Sequence, residues 1–156
     1  MNRVGVPKQW AVVLVVGMCA GACSSMAYRS RVEEFNNSNL SANRYDVVAV
    51  LPVDPHGFDT NIAARVRDHL RKEGWKVVPA LKLVGESEVT TKEVCEPSQH
   101  PEYRGVVFVS WDRLILRDCE TTAVAYRAVG GYAGIDKLTQ RFLVYLKTGP
   151  TAAPQP

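Results

Sequence analysis

Asp46-Val47-Val48-Ala49-Val50-Leu51-Pro52 is the stretch that decides how this chain folds. Its β-branched, uninterrupted apolar run is too short for a buried helix and long enough for a strand covered on both faces. Pro52, Pro55 and Gly57 end it, since proline cannot donate to a ladder and glycine permits the turn. Asp59 then stands where a helix cap is needed, and Ile62, Ala63, Val66 and Leu70 fall on one face at helical spacing. Gly74 is placed to terminate that helix in the left-handed conformation, with Trp75 packing back on Leu70. A second strand, Lys76 to Pro79, follows at once. A strand, helix and strand in this order cross over right-handedly and set the two strands parallel.

Downstream, Ala80 to Arg104 is polar and irregular, with one short helical turn around Thr91 to Val94. Gly105 to Trp111 reads as a strand continuing through Leu114, Ile115 and Leu116. A turn at Asp118-Cys119-Glu120-Thr121 leads into Thr122 to Val129, so these two runs form a hairpin. For the last element, Leu138, Phe142, Val144 and Leu146 fit one strand face. Ile135, Leu138, Phe142, Tyr145 and Leu146 fit a helical stripe, and Lys147-Thr148-Gly149-Pro150 is a helix stop, which favours the helix. The expected fold is α+β, a mixed sheet of about four strands with two helices packed on one face, in the order β-α-β-β-β-α. In outline this resembles the small periplasmic α+β domains of envelope lipoproteins and of the curli-secretion and Tol-associated families. The likeness covers residues 45 to 147 and rests on element order, so it assigns no site.

Upstream, Arg3 and Lys8 precede an uncharged stretch from Trp10 to Ala22. That stretch has the length of a secretory signal core, roughly 7 to 15 residues, and falls short of the about 20 needed to span a bilayer. It ends in Ala20-Gly21-Ala22-Cys23. This tetrad resembles the lipobox of bacterial lipoproteins, whose signal peptides are cut before a cysteine that carries diacylglycerol; Ala20 departs from the larger aliphatic residue usual there. The resemblance implies cleavage before Cys23, acylation of its thiol and attachment to membrane lipid, with Ser24 favouring the outer membrane. The alternative is an ordinary signal peptide cut at the same place, leaving Cys23 an unmodified thiol. Residues 1–22 are thus read as leader, 23–44 as a lipid-anchored flexible tether rich in Ser, Asn and charge, 45–149 as one α+β domain and 150–156 as a disordered tail.

Composition narrows the function classes. With 46% hydrophobic and 22% charged residues the chain is globular. Its net charge of +3 includes Arg3 and Lys8 of the leader, which leaves the mature chain near +1. A nucleic-acid-binding surface is therefore not expected. Of the four cysteines, Cys19 leaves with the leader and Cys23 is the anchor. Cys95 and Cys119 remain, and in an oxidising envelope they are expected to pair as a disulfide. Two unpaired thiols, or a metal site of Cys95, His100 and Cys119, are the alternatives, though the spacing fits no paired ligand pattern.

Other constellations carry weaker chemistry. Asp54, His56 and Asp59 cluster in the loop after the first strand, where α/β units place ligands, and form the candidate ligand or metal site. Gly130-Gly131-Tyr132-Ala133-Gly134 precedes the last helix, but no strand follows to complete a nucleotide-binding unit. Arg65, Arg67, Arg71 and Lys72, interrupted by Asp68 and Glu73, make the first helix basic, a face that suits either solvent or anionic lipid. Trp75 and Trp111 are expected in the core, and Ser110 in a strand without the elbow motif of a serine nucleophile. No cofactor is implied. The expectation is a non-enzymatic, lipid-anchored periplasmic protein that binds or positions another envelope component. The competing class is a small-ligand-binding or hydrolytic lipoprotein, a metal-assisted hydrolase included, using Asp54, His56 and Asp59.

Overall fold

The computed structural model describes residues 31–54, 58–78, 85–98, 101–130 and 134–149. The leader, Cys23 and the tail after Gly149 lie outside them. Six strands and three helices are described: β1 (Glu33–Asn36), β2 (Val47–Pro52), α1 (Phe58–Lys72), β3 (Lys76–Val77), α2 (Glu88–Val94), β4 (Gly105–Val109), β5 (Arg113–Asp118), β6 (Val124–Val129) and α3 (Ile135–Thr148). A 3₁₀ turn, Ala42–Arg44, leads into β2. The strands form one mixed sheet in the order β1-β6-β5-β4-β2-β3. As expected, β2 and β3 run parallel; β4 is also parallel to β2, and β5, β6 and β1 continue the sheet antiparallel.

The central strands are apolar on both faces because both are covered. Val48, Val50, Val107, Val109, Leu114, Leu116 and Tyr126 meet α1 and α3, whose buried stripes are those expected, Ile62-Ala63-Val66-Leu70 and Ile135-Leu138-Phe142-Tyr145-Leu146. On the other face Val47, Ala49, Leu51, Val106, Phe108 and Ile115 pack with Val94 of α2 and Tyr103. Helix α1 ends as its sequence indicates: Gly74 has φ +90°, its N–H donates to the Arg71 carbonyl, and the Trp75 N–H reaches back to Leu70. Gly105 is required by contact. A Cβ there would lie 2.8 Å from Leu116 Cδ1 and 3.2 Å from the Arg117 carbonyl oxygen.

Four expectations are corrected. First, Glu33–Asn36 was expected within the tether but pairs with β6, so the ordered domain starts before Tyr45. Its side chains are mostly exposed, and what recruits it is backbone pairing, aided by Glu34, which accepts from the Tyr126 hydroxyl at 3.5 Å and faces Arg141 at 3.7 Å. Second, the run from Gly105 to Leu116 is two antiparallel strands, not one. Ser110, expected in a strand, opens the turn, where its N–H donates to the Arg113 carbonyl and its hydroxyl to Asp112 Oδ1. Third, Trp111 is 52% exposed at the tip of that turn rather than in the core. Fourth, the helical turn expected around Thr91 to Val94 is present but longer, α2 spanning Glu88–Val94 and capped by Ser87, whose hydroxyl accepts the Thr90 N–H at 2.9 Å. The two expected helices, α1 and α3, do share one face, while Val94 of α2 occupies the opposite one.

The basic character of α1 serves packing between elements. Arg65 forks onto both oxygens of Asp136 in α3, at 2.6 and 2.8 Å. Arg67 donates to the Val50 carbonyl, and burial together with the nearby Arg71 charge pulls its pKa below the usual guanidinium value. Lys147 of α3 holds Glu73 at 2.6 Å, which keeps that carboxyl below the ordinary carboxylate range.

Aromatic packing under α3 makes stability pH-dependent. Tyr126 stacks on Tyr145 with centroids 4.7 Å apart, and Phe142 lies 5.4 Å from Tyr126. Burial, reinforced by the Asp118 charge, pushes the Tyr145 phenol up to about 12. Burial raises Tyr45 and Tyr126 further, aided by the carboxylates of Asp118 and Glu34 respectively. An unfolded chain ionises its tyrosines near pH 10. The native state therefore holds more protons above that point, and the tyrosine contribution to stability, complete below about pH 10, is lost as pH rises through the folded values. Denaturant midpoints followed by circular dichroism should fall from about pH 10 upward, with tyrosinate absorbance from these residues appearing only as the fold is lost. Full ionisation of all tyrosines near pH 10 in an intact fold would contradict the packing.

Candidate functional site

At the carboxyl ends of β2 and β4, the loop expected to hold a ligand is partly described. Asp59 lies in the first turn of α1 and is buried, and its Oδ2 accepts the backbone N–H of Asp54 at 3.2 Å. This carboxylate fastens the loop to the helix start. Asp54 is exposed, and His56 lies outside the described residues. The structure thus brings Asp54 and Asp59 together through backbone and side chain. Residues 131–133 of the glycine-rich segment also lie outside the described part, while Gly130 donates its N–H to the Asp112 carbonyl.

The densest polar site is at the opposite end of the sheet, around Asp118. Its side chain is fully buried, and its Oδ1 accepts the backbone N–H of Glu120 at 3.1 Å and both the N–H and hydroxyl of Thr121, at 2.9 and 3.0 Å. The Tyr45 hydroxyl donates to Oδ2 at 3.0 Å, and Arg44 Nε lies 3.3 Å from the same oxygen. Arg44 also binds Glu120, and that hydrogen bond is the main cause that raises its already high pKa. Within the turn that Asp118 organises, Thr122 has φ +59°, a left-handed conformation costly for a β-branched residue. It is held there by its N–H on the Asp118 carbonyl and by its own carbonyl, which accepts from Arg117.

Beside this clasp, Cys95 and Cys119 form a disulfide with Cα atoms 5.3 Å apart. It joins the end of α2 to the β5–β6 turn, as expected from the two cysteines left in the domain. With both sulfurs bonded to each other, neither is a thiolate ligand, so the Cys95, His100, Cys119 metal reading is withdrawn. Among the described residues no group of three or more His, Cys, Asp or Glu is placed to hold a metal. A pocket of about 280 Å³ opens next to the bridge, lined by Arg44, Arg104, Tyr103, Glu120 and both cysteines. Tyr103 is buried there, and burial, with Glu102 nearby, raises its phenol pKa. The Arg44 cation is already committed to two carboxylates, so the chemistry at this end is chiefly a structural lock. Sequence reading missed Arg44, Tyr45 and Asp118 as a unit, because 73 residues separate Tyr45 from Asp118.

No family model and no curated protein matches the chain. Among solved structures it is similar to a PelC dodecamer from Paraburkholderia phytofirmans, with 12% identity and a TM-score of 0.42 over 78% of this chain and 99% of that one. It is also similar to a point variant of that dodecamer, with 16% identity and a TM-score of 0.43 over 74% and 96%. Likeness at this level assigns no function.

The bridge spans 24 positions, and in the chain-entropy model closing such a loop stabilises by about 3 to 4 kcal/mol. The double replacement Cys95→Ser and Cys119→Ser should lower the denaturant midpoint by a corresponding amount. Amide exchange should accelerate most in residues 85–98, with β4 to β6 less affected. An unchanged midpoint would show that the bridge constrains nothing the rest of the fold does not already hold.

Proposed function

We propose that this chain is a bacterial envelope lipoprotein, cut before Cys23 and held by acyl chains on that cysteine, whose α+β domain binds or positions another envelope component without catalysing a reaction. The observation that carries the reading is the coincidence of a positively charged start, a short apolar core and Ala20-Gly21-Ala22-Cys23. The anchor is strong on physical grounds: each buried methylene contributes about 0.8 kcal/mol, so two or three chains hold a protein where one does so only marginally. The Cys95–Cys119 bridge supports a location outside the cytoplasm, since disulfides persist in oxidising compartments such as the periplasm. Among the described residues no helix is long and apolar enough to cross a membrane.

The binding role is supported by how the polar groups are used. Asp59 and Asp118, the buried carboxylates, are engaged in holding loops and turns. Meanwhile β1 ends the sheet with mostly exposed side chains, Phe35 among them, and its outer backbone edge suits the addition of a partner strand. The outer membrane, facing the periplasm, is the proposed address, on the strength of Ser24 after the anchor cysteine.

Protein extracted from membranes should have an intact mass that begins at Cys23 and includes diacylglycerol, and Cys23→Ala should accumulate as uncleaved precursor. A mature chain starting at Cys23 with no lipid mass would defeat the anchor.

A further inference from the structure

The proposed anchor, taken with the topology, makes a particular end of the domain face the membrane. β1 begins at Glu33, and its register places Glu33 beside Val129, the last residue of β6, which in turn pairs with Arg113 at the start of β5. The chain therefore enters the sheet at the end where β2 and β4 finish. Two of the exposed large apolar side chains cluster by topology at that same end. Trp111 is 52% exposed at the tip of the β4–β5 turn, and Phe58 is 67% exposed at the start of α1, just after β2. The Val53 N–H on the Val109 carbonyl, and Gly130 on Asp112, tie these turns into one surface.

From Cys23 to Glu33 is ten residues, a reach of at most about 35 Å and a root-mean-square span nearer 18 Å for a flexible chain. A domain of this size is roughly 35 Å across. The linker is thus too short, on average, to let the opposite end turn toward the bilayer. Tryptophan is suited to the headgroup layer, where its ring meets acyl chains and its N–H stays wet. Arg31 stands exposed at the same end, beside Glu33, while Arg113 there faces Asp112 at 3.5 Å, so charge at this end is mixed and the aromatic side chains carry the contact.

We propose that the Trp111 and Phe58 end of the domain docks on the phospholipid surface that holds Cys23, which leaves the disulfide end pointing away from the membrane. The inference rests on the lipid anchor proposed above. Trp75 supplies an internal control, because it precedes β3 beside the start of β2, at the far end of the sheet.

The test uses the mature lipidated protein, its mass verified, in vesicles of phosphatidylethanolamine and phosphatidylglycerol carrying a lipid spin-labelled near the headgroup. Flotation with the vesicles reports the anchor, and tryptophan quenching reports the orientation. The account expects flotation, with at least about twofold less quenching in Trp111→Phe than in wild type and a higher fractional quenching in Trp75→Phe, where Trp111 alone emits. Comparison of wild type with Trp111→Phe decides the matter even should Trp75→Phe fold poorly, since Trp111 is on the surface. Floating protein whose Trp111 is unquenched would overturn the orientation while leaving the anchor standing, and would free that end for a protein partner. Failure to float would remove the anchor and this inference together.

Discussion

The Asp118 carboxylate is the constraint on which the rest of this structure depends. A buried carboxylate costs several kcal/mol unless its charge is paired and its lone pairs are used. Here four hydrogen bonds and one ion pair satisfy it. Those partners come from two distant parts of the chain. Tyr45 and Arg44 bring in the segment before β2, and Glu120 and Thr121 set the turn between β5 and β6. Satisfying one charge therefore fixes the start of the central parallel strand relative to the antiparallel hairpin. It also positions Cys119 for its bridge to Cys95.

The two ends of the sheet consequently differ in kind. One is closed by the Asp118 clasp and the disulfide, with the polar groups there bonded largely to one another. The other gathers the entry of β1, the turn carrying Trp111 and the first turn of α1, with aromatic surface left exposed.

Much of this was legible in the sequence where local and long-range demands coincide. The α1 and α3 stripes, the Gly74 terminator and the parallel pairing of β2 with β3 follow from periodicity and turn chemistry. What escaped did so for physical reasons. Glu33–Asn36 offers little apolar side-chain signal, because backbone pairing with β6 recruits it. The turn at Ser110-Trp111-Asp112 lacks the Asn-Gly or Gly-Gly pattern of tight hairpins and is held instead by the Ser110 hydroxyl on Asp112. Hydrophobicity alone places Trp111 in the core, because it cannot register that a residue at a turn tip has no layer above it. Asp118 reads as a turn residue, and it ends β5 with its side chain organising the turn. That the same side chain is buried depends on Tyr45 and Arg44, and no local pattern announces them.

The most direct test of Asp118 as the organising group is a double-mutant cycle with Tyr45→Phe and Asp118→Ala, read by denaturant unfolding. Asp118→Ala should cost about 3 kcal/mol or more, because it leaves the buried Tyr45 hydroxyl without its acceptor, removes the carboxylate facing Arg44 and frees the turn donors at Glu120 and Thr121. The coupling between the two sites should be about 1 to 3 kcal/mol, as for a buried hydrogen bond to a charged group. Effects that add to within about 0.5 kcal/mol would contradict the account, because they would mean that Tyr45 and the β5–β6 turn are held independently.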